Sequence, residues 1–271
     1  VHYFDPHAVY APPPEYRARF AAPEDRYESA WTFGTRQQIV TERQGKVQFD
    51  EATIRRAEKL YNGEVAFTDS EVGRLLDGLV ERGLRENSIV VFTADHGEEF
   101  WDHGGFAHGH TLFEEQLRVP LILSWPGRLA PATVRGVVGQ VDLAPTLCDL
   151  AGVAPDPVFA GVSLAGAAAG EALEPRPVIY MGNFWGPPIL GLREAGHKLI
   201  RSPDDGIALY ELSADPSERN DLSGADPERA RRMADDLGLA MQRMASRFAG
   251  GEEAELTPEQ IERLRALGYL D

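Results

Sequence analysis

The chain has a single cysteine, Cys148, in 271 residues. One thiol cannot close an internal disulfide, so no cystine framework holds this fold, and the redox compartment stays open. Cations are scarce beside anions: 27 Lys plus Arg face 43 Asp plus Glu, for a net charge of −16. A nucleic-acid binder neutralises phosphates with clustered Lys and Arg, so this balance argues against that class. Small anionic substrates stay open, because a bound cation inverts the local field. No apolar run approaches ~18 residues, so nothing here reads as a membrane span. The opening "VHYF" has no Met, leader or polar lead-in and reads as the tail of a strand. The chain is therefore expected to be the C-terminal part of something longer.

What is present suffices for a core. A hydrophobic content of 43% over this length supports one large domain, or one with a small appendage. From about Asp50 to Arg82 the apolar positions Ile54, Ala57, Leu60, Tyr61, Val65, Val72, Leu75, Leu76 and Leu79 recur at three- and four-residue spacing. That periodicity predicts an amphipathic helix, with Gly83 as its stop. "SIVVF" follows as an uninterrupted apolar strand. A long helix feeding an all-apolar strand predicts a βαβ unit and a mostly parallel central sheet covered on both faces. "VPLILSWPG" reads as another buried strand. "VDLAPTLCDLAGV" reads as a helix capped by Asp142, with Pro145 in its first turn and Gly152 at its end. "DPHAVYAPPPEY" predicts an ordered extended loop, and residues 24 to 50 an irregular excursion. Beyond an Ala-, Gly- and Pro-rich connection at 153–177, short antiparallel strands are expected. A charged helix from about Pro227 to Phe248 and a shorter one in "LTPEQIERLRALGYL" complete the pattern. The fold class is α/β, divided into a catalytic portion at 1–152 and a connection with a small sheet-plus-helix unit at 153–271.

The chemistry concentrates in "TADHGEEFWDHGGFAHGH", Thr93 to His110, which holds four of the seven histidines. Ligands of open α/β sheets sit beyond the carboxyl ends of strands, where Asp95 and His96 fall. Adjacent residues of an extended chain point oppositely, so two metals, or a metal and a substrate, could be gripped on either side. His108 and His110, two apart, share a face if the segment is extended. Oxygen plus imidazole donors suit Zn, Mn or Fe; an all-oxygen set would suit Ca or Mg better. The plainer alternative is a turn tripeptide in a charged loop. Glu98, Glu99, Glu114 and Glu115 read as solvated charges, and His103 as surface. "HYFDPH", with His2, Asp5 and His7 before a Pro-rich turn, forms a second constellation, or else a charged loop.

Both constellations, in this order, resemble the sulfatase family of the alkaline phosphatase superfamily. The residues that carry the likeness are "HYFDPHAVY", the run from "YNGEVAF" through "TADHGEEF", "GHTLFEEQLRVPLILSWPG", "VDLAPTLCDLAGV", "LYELSADPSERNDLS" and "LRALGYL". The resemblance implies an alkaline-phosphatase-like sandwich with a small C-terminal antiparallel sheet and helix. It also implies hydrolysis of sulfate esters through a covalent intermediate, with phosphatase, phosphodiesterase or phospho-headgroup transferase relatives as the alternative and a non-catalytic family member as a further one. Carried across, Asp95 and His96 match the metal pair, with His110 a further ligand. His2, His7 and His108 match catalytic positions, and His7, His108 and His110 positions near the substrate's oxygens. One of His108 and His110 stands where many sulfatases carry lysine, and the chain's lysines are Lys46, Lys59 and Lys198. The implied cofactors are a divalent metal, Ca or, in a phosphatase-like site, Zn or Mn, and a formylglycine. Its parent motif, C/S-x-P-x-R, is expected upstream rather than in these residues, which makes this chain inactive alone. The implied partners are a small anionic ester and the N-terminal part of the same protein. The family suggests a periplasmic or extracellular location, with the cytoplasm still open.

Overall fold

The computed structural model describes residues 1–20, 33–182, 186–203, 206–248 and 257–266. The long helix α3 runs Glu51–Glu81, with the Asp50 carboxylate accepting the Thr53 N–H at 2.8 Å to cap it. Two shorter helices precede it. α1, Pro14–Phe20, begins inside the stretch expected to be extended. A prolyl ring suits a first helical turn, and Pro14 stands there. α2, Arg36–Arg43, occupies the expected irregular excursion and is opened by a Thr35/Gln38 capping box. "VHYF" carries no strand pairing among the described residues. Tyr10, Phe33, Ala57, Leu60 and Phe106 form the buried core between these segments and α3.

Strand β1, Val90–Thr93, pairs with a strand from the "VPLILSWPG" segment, and the pairing is antiparallel, Val90 opposite Ser124 and Thr93 opposite Leu121. No parallel pair occurs among the described residues. A parallel return needs a crossover of a dozen or more residues, usually a helix. Between these strands lie only the two-residue strands β2, Glu99–Phe100, and β3, Phe106–Ala107, and the single-turn helix α4, Glu114–Leu117. The chain therefore re-enters the ribbon as β4, Leu121–Ser124, beside the end it left. Opposed Phe92 and Ile122 are 40% and 58% exposed, so one face of this ribbon is open rather than covered.

Helix α5, Leu143–Leu150, starts at Asp142, but that carboxylate does not cap it. It is fully buried and turned away to Arg176 and the N–H groups of Gly139 and Val162. The short α6, Ala165–Ala168, lies in the connection. Strands β5 (Val178–Gly182), β6 (Ile189–Glu194), β7 (His197–Ser202) and β8 (Gly206–Glu211) make the expected antiparallel sheet in chain order. Leu192, Leu199 and Leu209 pack one face onto Ala230, Met233 and Leu237 of α7, Pro227–Phe248. Ile189, Ile200 and Tyr210 pack the other onto Leu112, Phe113 and Leu117. The site-bearing loop is thus seated on the C-terminal sheet. Helix α8, Pro258–Ala266, matches the second short helix, and residues 256 and 267–270 of that motif lie outside the described residues. No helix among the described residues is long and apolar enough to cross a membrane.

Candidate functional site

The chain leaves β1 through Ala94 and Asp95, whose carbonyls accept the Gln140 side-chain amide at 2.6 and 2.8 Å. Gly97 donates its N–H to the Gln116 carbonyl at 2.8 Å, and any Cβ there would collide with the Glu115 carbonyl oxygen. Only glycine lets this turn lie flat against α4. Asp95 and His96 do not point oppositely as an extended chain would make them: His96 Nε2 lies 3.8 Å from Asp95 Oδ2. The turn at Gly97 replaces the strand alternation, and one carboxylate oxygen and one imidazole nitrogen face the same space.

The tautomer of each ring follows from its partner. His96 Nδ1 lies 2.8 Å from the Gly97 carbonyl, and a carbonyl only accepts, so Nδ1 carries the hydrogen and Nε2 keeps its lone pair. His7 repeats this, with Nδ1 2.6 Å from the Ala8 carbonyl. His108 repeats it with a carboxylate, Nδ1 to Glu98 Oε1 at 2.9 Å. The three rings gather: His96 stacks on His108 at 3.9 Å between centroids, His7 lies 4.8 Å from His108 and 6.3 Å from His96. Burial pushes the His7 imidazole below its ordinary pKa; the nearby His108 and His96 rings add to this, while the Ala8 carbonyl and Glu98 pull against it. Helix α3 holds the "HYFDPH" block in place, through Tyr3 Oη on the Glu71 carbonyl and Thr68 Oγ1 on the Asp5 carbonyl, both 3.2 Å.

Two expected site residues stand elsewhere. His2 is exposed, and its ring edges Phe4 at 6.5 Å between centroids, away from the His7, His96 and His108 rings among the described residues. His110 does not share a face with His108, because Gly109 between them adopts φ +78° and breaks the extended alternation. Arg43 Nη2 donates to His110 Nδ1 at 3.0 Å, and the other nitrogen, Nε2, meets Glu99 Oε2 at 2.9 Å. Its nitrogens therefore face Arg43 and Glu99 rather than the Asp95–His96 pair.

The acids expected to be solvated are interior. Glu99 is fully buried; burial alone would raise its pKa, but hydrogen bonds from His110 and the Gly105 and His103 N–H groups hold it down to about 2. Glu98 accepts from Tyr10 Oη at 2.7 Å as well as from His108. Glu114 lies 3.1 Å from Lys198 Nζ and 3.0 Å from Arg193. Lys198, fully buried, reaches Glu218 at 2.8 Å. Glu115 pairs with His103 at 2.6 Å, and that ring stacks on Phe113 at 3.5 Å, so His103 is a packed residue rather than a surface one. The signal that could have found these acids is their spacing to histidine, four residues from Glu99 to His103 and ten from Glu98 to His108.

The Asp95–His96 pair fits a divalent cation: a carboxylate oxygen and a lone-pair nitrogen share one side, and the second imidazole nitrogen is tied to a carbonyl, as metal-bound histidines usually are. Among the described residues no group of three or more His, Cys, Asp or Glu is arranged to hold a metal ion, so these residues alone do not complete a ligand set around the pair. The nucleophile pattern needs a correction. Its letters do occur, as Ser124-Trp125-Pro126-Gly127-Arg128. Ser124 sits opposite Val90, at the far end of the ribbon from Asp95, roughly 10 Å or more along the strands, and its Oγ is engaged by Arg85. It is a strand residue, not a nucleophile for this cluster. Cys148 lies within α5.

Comparison with known proteins identifies the family. The sulfatase family model matches residues 1–153, and that for the N-sulphoglucosamine sulphohydrolase C-terminal region matches residues 102–246. Choline-sulfatase of Rhizobium meliloti is 31% identical over 177 residues, 64% of this chain and 34% of the relative. Arylsulfatase K of Mus musculus is 31% identical over 194 residues, 67% of this chain and 35% of the relative. The solved structure of BT4656 in complex with its substrate D-glucosamine-2-N,6-O-disulfate superposes with TM-score 0.63 at 27% identity, over 81% of this chain and 47% of that one. The chain thus spans about a third of the length of these curated relatives. With a family model matched over more than half its length and the paired Asp95 and His96 at a strand end, this chain belongs to the sulfatase family.

Proposed function

We propose that the protein hydrolyses sulfate esters of small anionic substrates at the cluster formed by Asp95, His96, His7 and His108. The observation that carries this reading is the convergence of three imidazoles from two distant blocks, each with Nδ1 tied to an oxygen and Nε2 bearing the lone pair. Asp95 and His96 would hold a divalent cation, which supplies charge neutralisation at the transferring group and a lowered nucleophile pKa. His7 and His108 orient the ester and accept or return a proton at Nε2, the general-base and general-acid work of the two half-reactions. Positioning by the buried loop supplies much of the rate. By family expectation the nucleophile is a formylglycine, and neither Ser124 nor Cys148 is placed at this cluster to serve as its parent residue. We place the intact protein in the periplasm or outside the cell, which fractionation tests.

The intact protein, given divalent metal, should turn over an aryl sulfate, and Asp95→Asn and His96→Ala should each lose metal and at least about 100-fold of kcat/KM. Full activity in either variant overturns the reading. A second reading, a phosphomonoesterase or phosphodiesterase, is favoured by the imidazole-rich donor set, which suits Zn or Mn. Two transition metals per protein and preference for an aryl phosphate would select it; one Ca-like ion selects the sulfatase.

A further inference from the structure

We propose that Glu98, backed by Tyr10, is a positioning residue that fixes His108 in its Nδ1–H tautomer and so presents Nε2 to the site. The inference rests on the hydrolase reading for its purpose, though not for its geometry. Glu98 and His108 are 4% and 13% exposed at their side chains, so water does not compete for their hydrogen bond. The two carboxylate oxygens have separate fixed donors: Oε1 takes His108 Nδ1 at 2.9 Å and Oε2 takes Tyr10 Oη at 2.7 Å. Tyr10 is itself immobile. It has no exposed surface, and its backbone N–H and carbonyl both pair with Phe33, at 2.7 and 3.2 Å. Burial, then the Glu98 charge, pushes its phenol far above the ordinary range, so it remains a donor at any working pH.

A carboxylate held this way can only accept, and Nδ1 of His108 can then only donate. An unconstrained imidazole in water prefers the opposite form, with hydrogen on Nε2, so the dyad inverts an intrinsic preference. Arg43 completes the restraint by donating to the His108 carbonyl at 2.9 Å, which fixes the backbone while Glu98 fixes the ring. The neighbouring His110 shows that the loop does not impose one tautomer on every ring. There a donor-only guanidinium faces Nδ1, and hydrogen resides on Nε2. The choice at His108 is therefore made by its own partner. Local sequence hides this, since Glu98 and Tyr10 are 88 residues apart.

The test is the ring tautomer, read from long-range 15N–1H correlations of the labelled intact protein at about pH 8.5, above the ordinary imidazole range. The His108→Gln variant assigns the resonance. Expected is Nδ1–H in the wild type, a switch to mainly Nε2–H in Glu98→Ala, and Nδ1–H again in Glu98→Gln, whose amide oxygen still accepts. With metal and substrate, Glu98→Ala should lose about 10- to 100-fold of kcat with little change in KM, and Glu98→Gln should recover most of it. An Nε2–H His108 in the wild type, or an unchanged tautomer in Glu98→Ala, overturns the proposal. Should Glu98→Ala fail to fold, the wild type and Glu98→Gln decide alone, Nδ1–H in both supporting and Nε2–H in either refuting. An inactive protein with an Nδ1–H His108 would sink the hydrolase reading and leave this positioning role standing.

Discussion

Lys198→Met is the sharpest probe of how the site loop is held. Lys198 has no exposed surface, lies 3.1 Å from Glu114 and 2.8 Å from Glu218, and sits on β7 beneath the loop. Methionine matches the stem of the side chain and deletes only the charge. Glu114 keeps Arg193 at 3.0 Å, but Glu218, equally buried, loses its cation and keeps the Glu114 N–H. Removing one partner of a buried pair costs about 3–5 kcal/mol, and the surviving Arg193 contact puts the expected loss near about 3 kcal/mol. For a chain of this size that is a Tm lowered by about 6–12 °C. The pH dependence has a definite sign. Burial already holds the Glu218 carboxyl above its ordinary pKa, with Lys198 and the Glu114 N–H pulling it back. Deleting Lys198 raises it further above the unfolded value. A carboxyl raised by folding costs stability as pH climbs from the unfolded toward the folded pKa, so the deficit should be small near pH 4 and full at neutral pH. Lys198→Met/Glu218→Gln should recover at least half of the loss, because no orphan charge remains. Denaturant unfolding at several pH values checks this. A single variant within about 1 kcal/mol of wild type at pH 7.5, the scale of an exposed pair, would refute the reasoning.

Glu64 offers a second pH test: buried on α3, with the Ala11 N–H on Oε1 at 2.6 Å, it is pushed by burial up to about 7. Its charged form costs stability as pH rises from about 4.5 to 7, so Glu64→Gln, which keeps the acceptor, should stabilise at pH 8 by about 1–3 kcal/mol and little at pH 4.5, read by denaturant titration. Gly97→Ala should destabilise by about 3 kcal/mol and disorder the Asp95–His96 pair, since its Cβ meets backbone and not a yielding side chain; thermal unfolding with a metal titration reports both. His2→Ala should leave kcat within about threefold of wild type in aryl-sulfate turnover, whereas His108→Ala should cost at least about 100-fold, because only the latter ring joins the cluster.

Legibility in the sequence followed the range of the forces involved. Helix α3 was readable to within a residue or two because its periodicity and Gly83 stop are both local. Asp95, His96, His7 and His108 could be singled out because their chemistry stands beside strand and turn signals, and the structure brings these four side chains together. What stayed hidden is long-range. Glu98, Glu99 and Glu114 look solvated until Tyr10, His110 and Lys198 arrive from other parts of the chain. Asp142 looked like a cap because cap residues favour Asp, yet Arg176 and the N–H groups of Gly139 and Val162 outbid the helix for it. The α/β class holds, but apolar runs do not encode strand direction; the antiparallel pairing of β1 with β4 follows instead from the short connection between them. His110 misled because two-residue spacing implies a common face only in extended chain, and Gly109 is not extended.

The seating of Leu112, Phe113 and Leu117 on the sheet formed by β5 to β8 has a practical consequence for anyone trimming this protein. A cut after residue 152 would strip the floor from under the histidine segment, wetting three large apolar side chains and abandoning Glu114 to solvent. Shortened versions that end there should bind metal poorly even though every proposed ligand is retained. Grafting the histidine segment into another scaffold would have to bring its distant platform along.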